Sequence, residues 1–283
     1  MEFRKAAKKE RTFILDLMEQ INQDNSRGIA YPCWDLEGNY HELGINFEDA
    51  LIIAQENGTD IGVVGVFDSE WGTYLVGPTC VKEYYTEYYV TLLLKELLNS
   101  YDLNGKTLES DLKPENEVLV EVLKTFGFTN NYAGVSMHLE KKIQLLSDIN
   151  VKVLTKADKD SILSVNDIFT KYLKPWTNKN EQHLFNALED GAHITVILES
   201  DIIVGAMVGT ETEIEYLAVH GDYQNKGYGR ALVDVARTGA EITADEDKMY
   251  LDVDVNNQEA QDFYLACGFE VDYHRVVYAK KFD

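Results

Sequence analysis

The chain has 283 residues, 45% of them apolar, and its 49 acidic against 26 basic side chains give a formal charge of −23. That charge repels a phosphate backbone, which argues against nucleic acid and weakly favours a cationic or amine-bearing partner. Nothing approaches the roughly 18 apolar residues of a membrane span, the opening MEFRKAAKKERTF has no apolar leader segment, and Cys33, Cys80 and Cys267 lack disulfide or zinc spacing, so a cytoplasmic protein without structural metal is expected.

Taken in chain order, Thr12 to Asn22 has amphipathic helical spacing, and LIIAQENGTDIGVVGVF (51–67) reads as two strands around Asn57-Gly58. The segment CVKEYYTEYYVTLL (80–93) is free of glycine and rich in tyrosine. SDLKP (110–114) is strand-like, and NEVLVEVLKTFGF (116–128) leads to the alternating strand GVSMHLEK (134–141). After KKIQLLSD (141–148) the order repeats. Lys159 to Phe169 is helical, ITVILESDIIVGAMVG (194–209) gives two strands around Glu199 to Asp201, and EIEYLAV (213–219) gives a third. YLDVDV (250–255), NQEAQDFYLACGF (257–269) and RVVYAKKF (275–282) close the series. Asn116 and Asn257 each precede a Gly-Phe pair by the same spacing, Gly127-Phe128 and Gly268-Phe269. The chain therefore reads as two copies of one α/β unit, residues 1–145 and 146–283.

Between the strand 213–219 and the helical pattern from Arg230 onward stands YQNKGYGR, residues 223–230, with Gly227 and Gly229 before a helix N-terminus. Glycines there let backbone N–H groups converge on an anion while the helix dipole adds favourable potential, although they also suit a plain tight turn. The third glycine of a dinucleotide fingerprint and the Gly-Lys-Ser/Thr of a P-loop are both missing.

Gln224, Gly227 and Gly229 form Q-x-x-G-x-G, and Asn257, Ala260, Phe263, Tyr264 and Gly268 form a second motif some thirty residues on. Together, in this order and context, they resemble the GCN5-related N-acetyltransferases over about 150–283. Residues 1–145 share the framework alone, so the whole resembles a tandem member with a degenerate first copy. The resemblance implies an α/β (α+β) fold in which each copy has a mixed, mostly antiparallel sheet flanked by helices. It also implies acetyl-CoA as cofactor and transfer of an acetyl group to a primary amine by direct attack in a ternary complex.

It further implies site residues. Leu217, Ala218 and Val219 would lie along the CoA arm, with the Val219 N–H as oxyanion donor. Gln224, Asn225, Lys226, Gly227, Tyr228, Gly229 and Arg230 would hold the pyrophosphate, and Asn257 would cap its helix and touch CoA. Tyr264 stands where relatives carry the tyrosine that protonates the thiolate; Phe263 beside it reads as core. Glu213 and Glu215 alternate on one strand and so share a face, Glu213 standing at the family's glutamate position; His220 is another candidate base. In the first half, Lys82 to Tyr88 opposite Gln224 to Arg230 has no glycine, and Leu123 stands opposite Tyr264, so that copy is expected to bind no cofactor. Its Tyr84, Tyr85, Tyr88 and Tyr89 would face the other copy as packing or help to line an acceptor cleft, with packing the preferred reading. Tyr172 and Trp176 in 171–185 could wall the acceptor site. A small-molecule amine acceptor, no membrane and a monomer or homodimer complete the expectation; a non-catalytic acyl-CoA-binding scaffold and a peptide or protein acetyltransferase stay open.

Overall fold

The computed structural model describes residues 1–29, 36–42, 46–69, 72–140, 150–173, 179–238 and 248–283. Contacts divide the chain into one unit of Met1–Val135 with Tyr273–Asp283 and a second of Ser136–Asp272. The fold is mixed α/β with mostly antiparallel strand pairing.

The first unit runs β1 (Glu2–Lys5), α1 (Arg11–Asn22), α2 (Leu36–Glu42), β2 (Leu51–Glu56), β3 (Thr59–Ser69), β4 (Gly72–Cys80), α3 (Glu87–Ser100), β5 (Thr107–Leu112), α4 (Glu117–Thr125) and the beginning of β6 (Thr129–Glu140). The β2–β3 hairpin closes on Asn57 and Gly58, both at positive φ, as a two-residue turn with right-handed strand twist demands. α1 buries Ile14, Leu17, Met18 and Ile21 at helical spacing, and α3 buries Val90, Leu93, Leu94 and Leu97. Leu123 of α4 is fully buried in the same core. Strands β4 and β5 are parallel, paired at Thr73–Leu108 and Tyr74–Glu109.

The second unit continues through β7 (Val151–Leu154), α5 (Lys159–Tyr172), α6 (Glu181–Glu189), β8 (His193–Glu199), β9 (Ile202–Gly209), β10 (Ile214–Val219), α7 (Tyr228–Thr238), β11 (Lys248–Asp254), α8 (Gln258–Cys267) and the start of β12 (Glu270–Lys281). Its antiparallel sheet has the order β10-β9-β8-β7. Ser200 and Asp201 adopt positive φ to turn β8 into β9. Ile162, Val165, Ile168 and Phe169 of α5 fill the core against Val196, Ala206 and Ala218.

A chain-order division at 145/146 is the sequence expectation, whereas contacts assign residues 273–283 to the first unit. The physical reason is backbone pairing. From Val276–Leu112 to Lys281–Thr107, β12 runs antiparallel to β5, Lys280 Nζ donates to the Phe126 carbonyl at 2.7 Å, and Arg275 pairs with the buried Asp111. Among the described residues no helix is long and apolar enough to cross a membrane.

Candidate functional site

Strands β10 and β11 define the site by parting. The pairing found between them among the described residues is one parallel bridge, Glu213–Tyr250, supported by Tyr250 N donating to the Thr212 carbonyl at 2.7 Å. Beyond it, β10 pairs on its other side with β9. His220 N donates to the Val204 carbonyl at 2.8 Å, which makes Val219–Gly205 and Leu217–Met207 the alternating pairs without mutual hydrogen bonds. Their N–H and C=O groups therefore turn away from β9, toward the fork. Gln224 Nε2 donates to the Val219 carbonyl at 3.3 Å from that side.

The loop after β10 is a 3-10 turn, Gly221–Tyr223, followed by Gln224 to Gly227 and then α7. Asn225 and Gly227 both have positive φ, 60° and 86°. A Cβ at Gly227 would meet nothing within 4 Å, so this glycine serves backbone conformation and leaves open space before the helix. The first helical bond runs from Ala231 N to the Gly227 carbonyl at 3.0 Å, leaving the amides of Tyr228, Gly229 and Arg230 ahead of it. Three amides at a helix N-terminus beside an open glycine form an anion cradle of the right chemistry for a pyrophosphate. Lys226 Nζ lies 4.5 Å from the Tyr223 ring centre, near the same loop.

Several motif residues do something other than the sequence suggests. At Gly229 a Cβ would stand 3.1 Å from Phe263 and 3.8 Å from Val219, so this glycine lets α7 approach α8 and the end of β10. Arg230 is exposed, and its Nη1 donates to the Ala266 carbonyl at 3.0 Å, holding the end of α8. Tyr228 donates to Glu199 Oε2 at 2.5 Å, and the carboxylate raises the phenol's pKa. Glu199 is a loop partner that no motif signals. Asn257 accepts from Ala260 N at 3.2 Å, the N-cap geometry expected of it.

Tyr264 lies on α8 beside the Phe263 that packs on Gly229, its ring edge-on to Phe263 at 5.1 Å and to Phe269 at 5.4 Å. Burial, with a small contribution from Cys267, pushes its phenol well above the usual value, so it stays protonated at neutral pH. Of the two candidate bases, Glu213 sits at the fork. Ile214 pairs with Gly209 and Tyr216 with Val208, so Glu215 is the extra residue of a β-bulge, and the strict alternation behind a common face for Glu213 and Glu215 is interrupted there. Glu215 is exposed as a residue, yet desolvation of its carboxyl raises the pKa against the opposing pull of Lys179. Lys179 contacts Tyr216 through both its hydroxyl and its ring face. His220 packs edge-on between Tyr172, at 5.2 Å, and Tyr223, at 5.6 Å. Tyr172 thus adjoins the loop; Trp176 lies outside the described residues.

Among the described residues the first unit has no such cradle. Val81 N bonds the Ile61 carbonyl as His220 N bonds the Val204 carbonyl, and a 3-10 turn follows each, Lys82–Tyr84 and Gly221–Tyr223. Lys82 therefore stands opposite Gly221 and not opposite Gln224, and two residues, Tyr85 and Thr86, replace the four from Gln224 to Gly227. Tyr85 donates to Asn116 Oδ1 at 2.7 Å, where Asn116 also caps α4 through Leu119 N. Tyr84, Tyr85 and Tyr89 pack on their own unit's core, and Tyr88 is 66% exposed.

Residues 156–269, most of the second unit, match the family model described as acetyltransferase (GNAT). A GCN5-related N-acetyltransferase from Sphaerobacter thermophilus superposes with a TM-score of 0.63 at 12% identity, covering 99% of this chain and 95% of that one. A Drosophila protein reaches 0.56 at 14%, covering 99% of both. A tandem GNAT protein from the clavulanic acid biosynthesis pathway reaches 0.53 at 15%, covering 99% and 98%. At these identities the likeness concerns the fold. No curated protein matches the chain by sequence.

Proposed function

We propose, from the match of residues 156–269 to the acetyltransferase (GNAT) family model, that the protein is an acetyl-CoA-dependent N-acetyltransferase acting on a primary amine of a small molecule by direct attack in a ternary complex. The observation that carries this reading is the fork between β10 and β11, with the Leu217 and Val219 amides turned into it and the α7 amides at its mouth. Acetyl-CoA supplies an activated acetyl thioester. The Tyr228, Gly229 and Arg230 amides bind its pyrophosphate, with Gly227 leaving room for the approach. The Val219 or Leu217 N–H stabilises the negative charge that grows on the acetyl oxygen. Tyr264, held protonated by burial, returns a proton to the departing sulfur. The first unit, with its shortened loop, binds no cofactor.

The test is thiol release from acetyl-CoA across a panel of small primary amines. Release with initial-rate lines that intersect as both substrates vary is the expected result, and parallel lines would point to a covalent acetyl-enzyme instead. Tight CoA binding with no amine turned over would leave an acyl-CoA-binding scaffold.

A further inference from the structure

An amine at neutral pH arrives protonated, and the attacking nitrogen needs a group to take its proton. The second unit holds an arrangement suited to this that lies outside both motifs. In β6, Ser136, His138 and Glu140 alternate with the buried Met137 and Leu139, so the first three face away from the core. In β11, Tyr250 and Asp252 likewise alternate with the buried Met249, Leu251 and Val253. Contacts bring the two polar faces together. Ser136 Oγ donates to Asp252 Oδ1 at 2.7 Å, and the His138 ring lies 6.3 Å from the ring of Tyr250.

Asp272, at the start of β12, completes the group. Its Oδ1 lies 2.7 Å from His138 Nδ1, with the His138 side chain 13% exposed. The approach is short but too bent for a hydrogen bond, and such contacts commonly tighten when substrate binds. Nε2 takes no hydrogen bond from the described residues. A carboxylate at Nδ1 favours the tautomer with its proton on Nδ1, which leaves Nε2 as the acceptor. Tyr250 is the residue that bridges to Glu213 at the closed end of the fork. Tyr250 therefore touches both, the His138 ring through its side chain and the start of β10 through its backbone.

We propose that His138 is the general base of the second unit and that Asp272 is its positioning residue, an inference that rests on the acetyl-transfer reading above. In the step, His138 Nε2 takes one proton from the ammonium and frees the nitrogen lone pair; the C–N bond then forms, the C–S bond breaks as Tyr264 gives its proton to sulfur, and the second nitrogen proton returns to the Tyr264 phenolate, so that one proton in all leaves, from His138 to solvent. Glu213 at the closed end of the fork attracts the incoming ammonium.

The experiment uses S-bromoacetyl-CoA on the full chain, with sites mapped by peptide mass spectrometry and CoA affinity measured on the same preparation. The expected result is alkylation of His138, with an N–C bond formed at Nε2, bromide displaced and one proton released, and with free CoA protecting. His138→Gln should keep CoA affinity within about twofold and lose the label, since its side chain lies outside the phosphate loop. Asp272→Asn should slow labelling several-fold while His138 stays the target, an effect that a purely structural aspartate would not produce at unchanged melting temperature. Intact CoA binding with the label on Glu213, Glu215 or Cys267, or with no label, overturns the assignment of His138 and leaves acetyl transfer standing. Absence of CoA binding overturns the acetyl-transfer reading itself, and this proposal with it.

Discussion

The loops that follow β4 and β10 leave equivalent strand ends and enter equivalent helices, yet one is a cradle and the other a plug. After His220 the chain spends Gln224 to Gly227 reaching α7, with two positive-φ residues and open space at Gly227. After Val81 it has only Tyr85 and Thr86 for the same passage, and the Tyr85 hydroxyl is tied to Asn116, the counterpart of Asn257. An anion site at a helix N-terminus thus depends less on the helix than on two residues of loop and one conformation that side chains resist. The contrast extends to α4 and α8. Leu123 is sealed in the core of the first unit, whereas Tyr264 in the second keeps a protonated phenol close to the cradle.

The contrast can be broken most sharply at position 264. Tyr264→Phe keeps the ring packed on Phe263 and Phe269 and removes one proton donor, so kcat at saturating acetyl-CoA should fall on the order of 10²-fold, with CoA affinity and melting temperature unchanged. An unchanged rate constant under chemistry-limited conditions would take Tyr264 out of the mechanism.

Next come the two glycines, which should part company. Gly227→Val places a β-branched residue at φ 86° with no clash, at a strain of about 2 kcal/mol that weakens acetyl-CoA binding roughly 30-fold and leaves the rest of the unit folded. Gly229→Ala instead pushes on Phe263 and should lower the stability of the second unit by about 1 kcal/mol, with a smaller effect on affinity. Calorimetry and denaturant unfolding on both variants read the difference, and identical behaviour would mean that the two glycines share one role.

A smaller change sharpens the comparison from the plugged side. Tyr85→Phe removes the bond to Asn116 Oδ1 and should cost about 1 kcal/mol of stability, with CoA affinity untouched if, as proposed, the shortened loop of the first unit takes no cofactor. Altered CoA affinity in this variant would assign the first unit a part in cofactor binding.

The smallest effect concerns pH. Asp158 before α5 accepts from Lys152 and from Thr155 N at 2.9 Å, which together hold its carboxyl pKa at about 2 against an ordinary 3.8. A depressed folded value means that its stabilisation is complete above the unfolded pKa and is lost as pH falls through about 2. Asp158→Asn should therefore flatten a slight part of the acid limb of the melting temperature below about pH 4. An acid limb identical to that of the unmodified chain would show the exposed carboxylate contributing nothing.

Local pattern settled a large part of this protein. Apolar runs around turns marked β2, β3, β8 and β9, alternation marked β10, helical spacing marked α1 and α5, and Asn-Gly marked the β2–β3 turn, because each reports the environment of neighbouring residues along the chain. The same local reading placed a glycine-bearing loop directly before the N-terminus of α7. It could not distinguish the conformational glycine, Gly227, from the packing glycine, Gly229, since the difference lies in Phe263 more than thirty residues away. Equal spacing also misaligned Lys82 with Gln224, because a two-residue shortening inside a loop leaves no mark in periodicity. Only tertiary structure decided that β12 pairs with β5, that Glu215 occupies a bulge, and that His138 meets Asp272. The first and last follow from strands distant in sequence and the bulge from the register between β9 and β10, and a strand's own residues specify the face that it buries but not the partner or register that it takes.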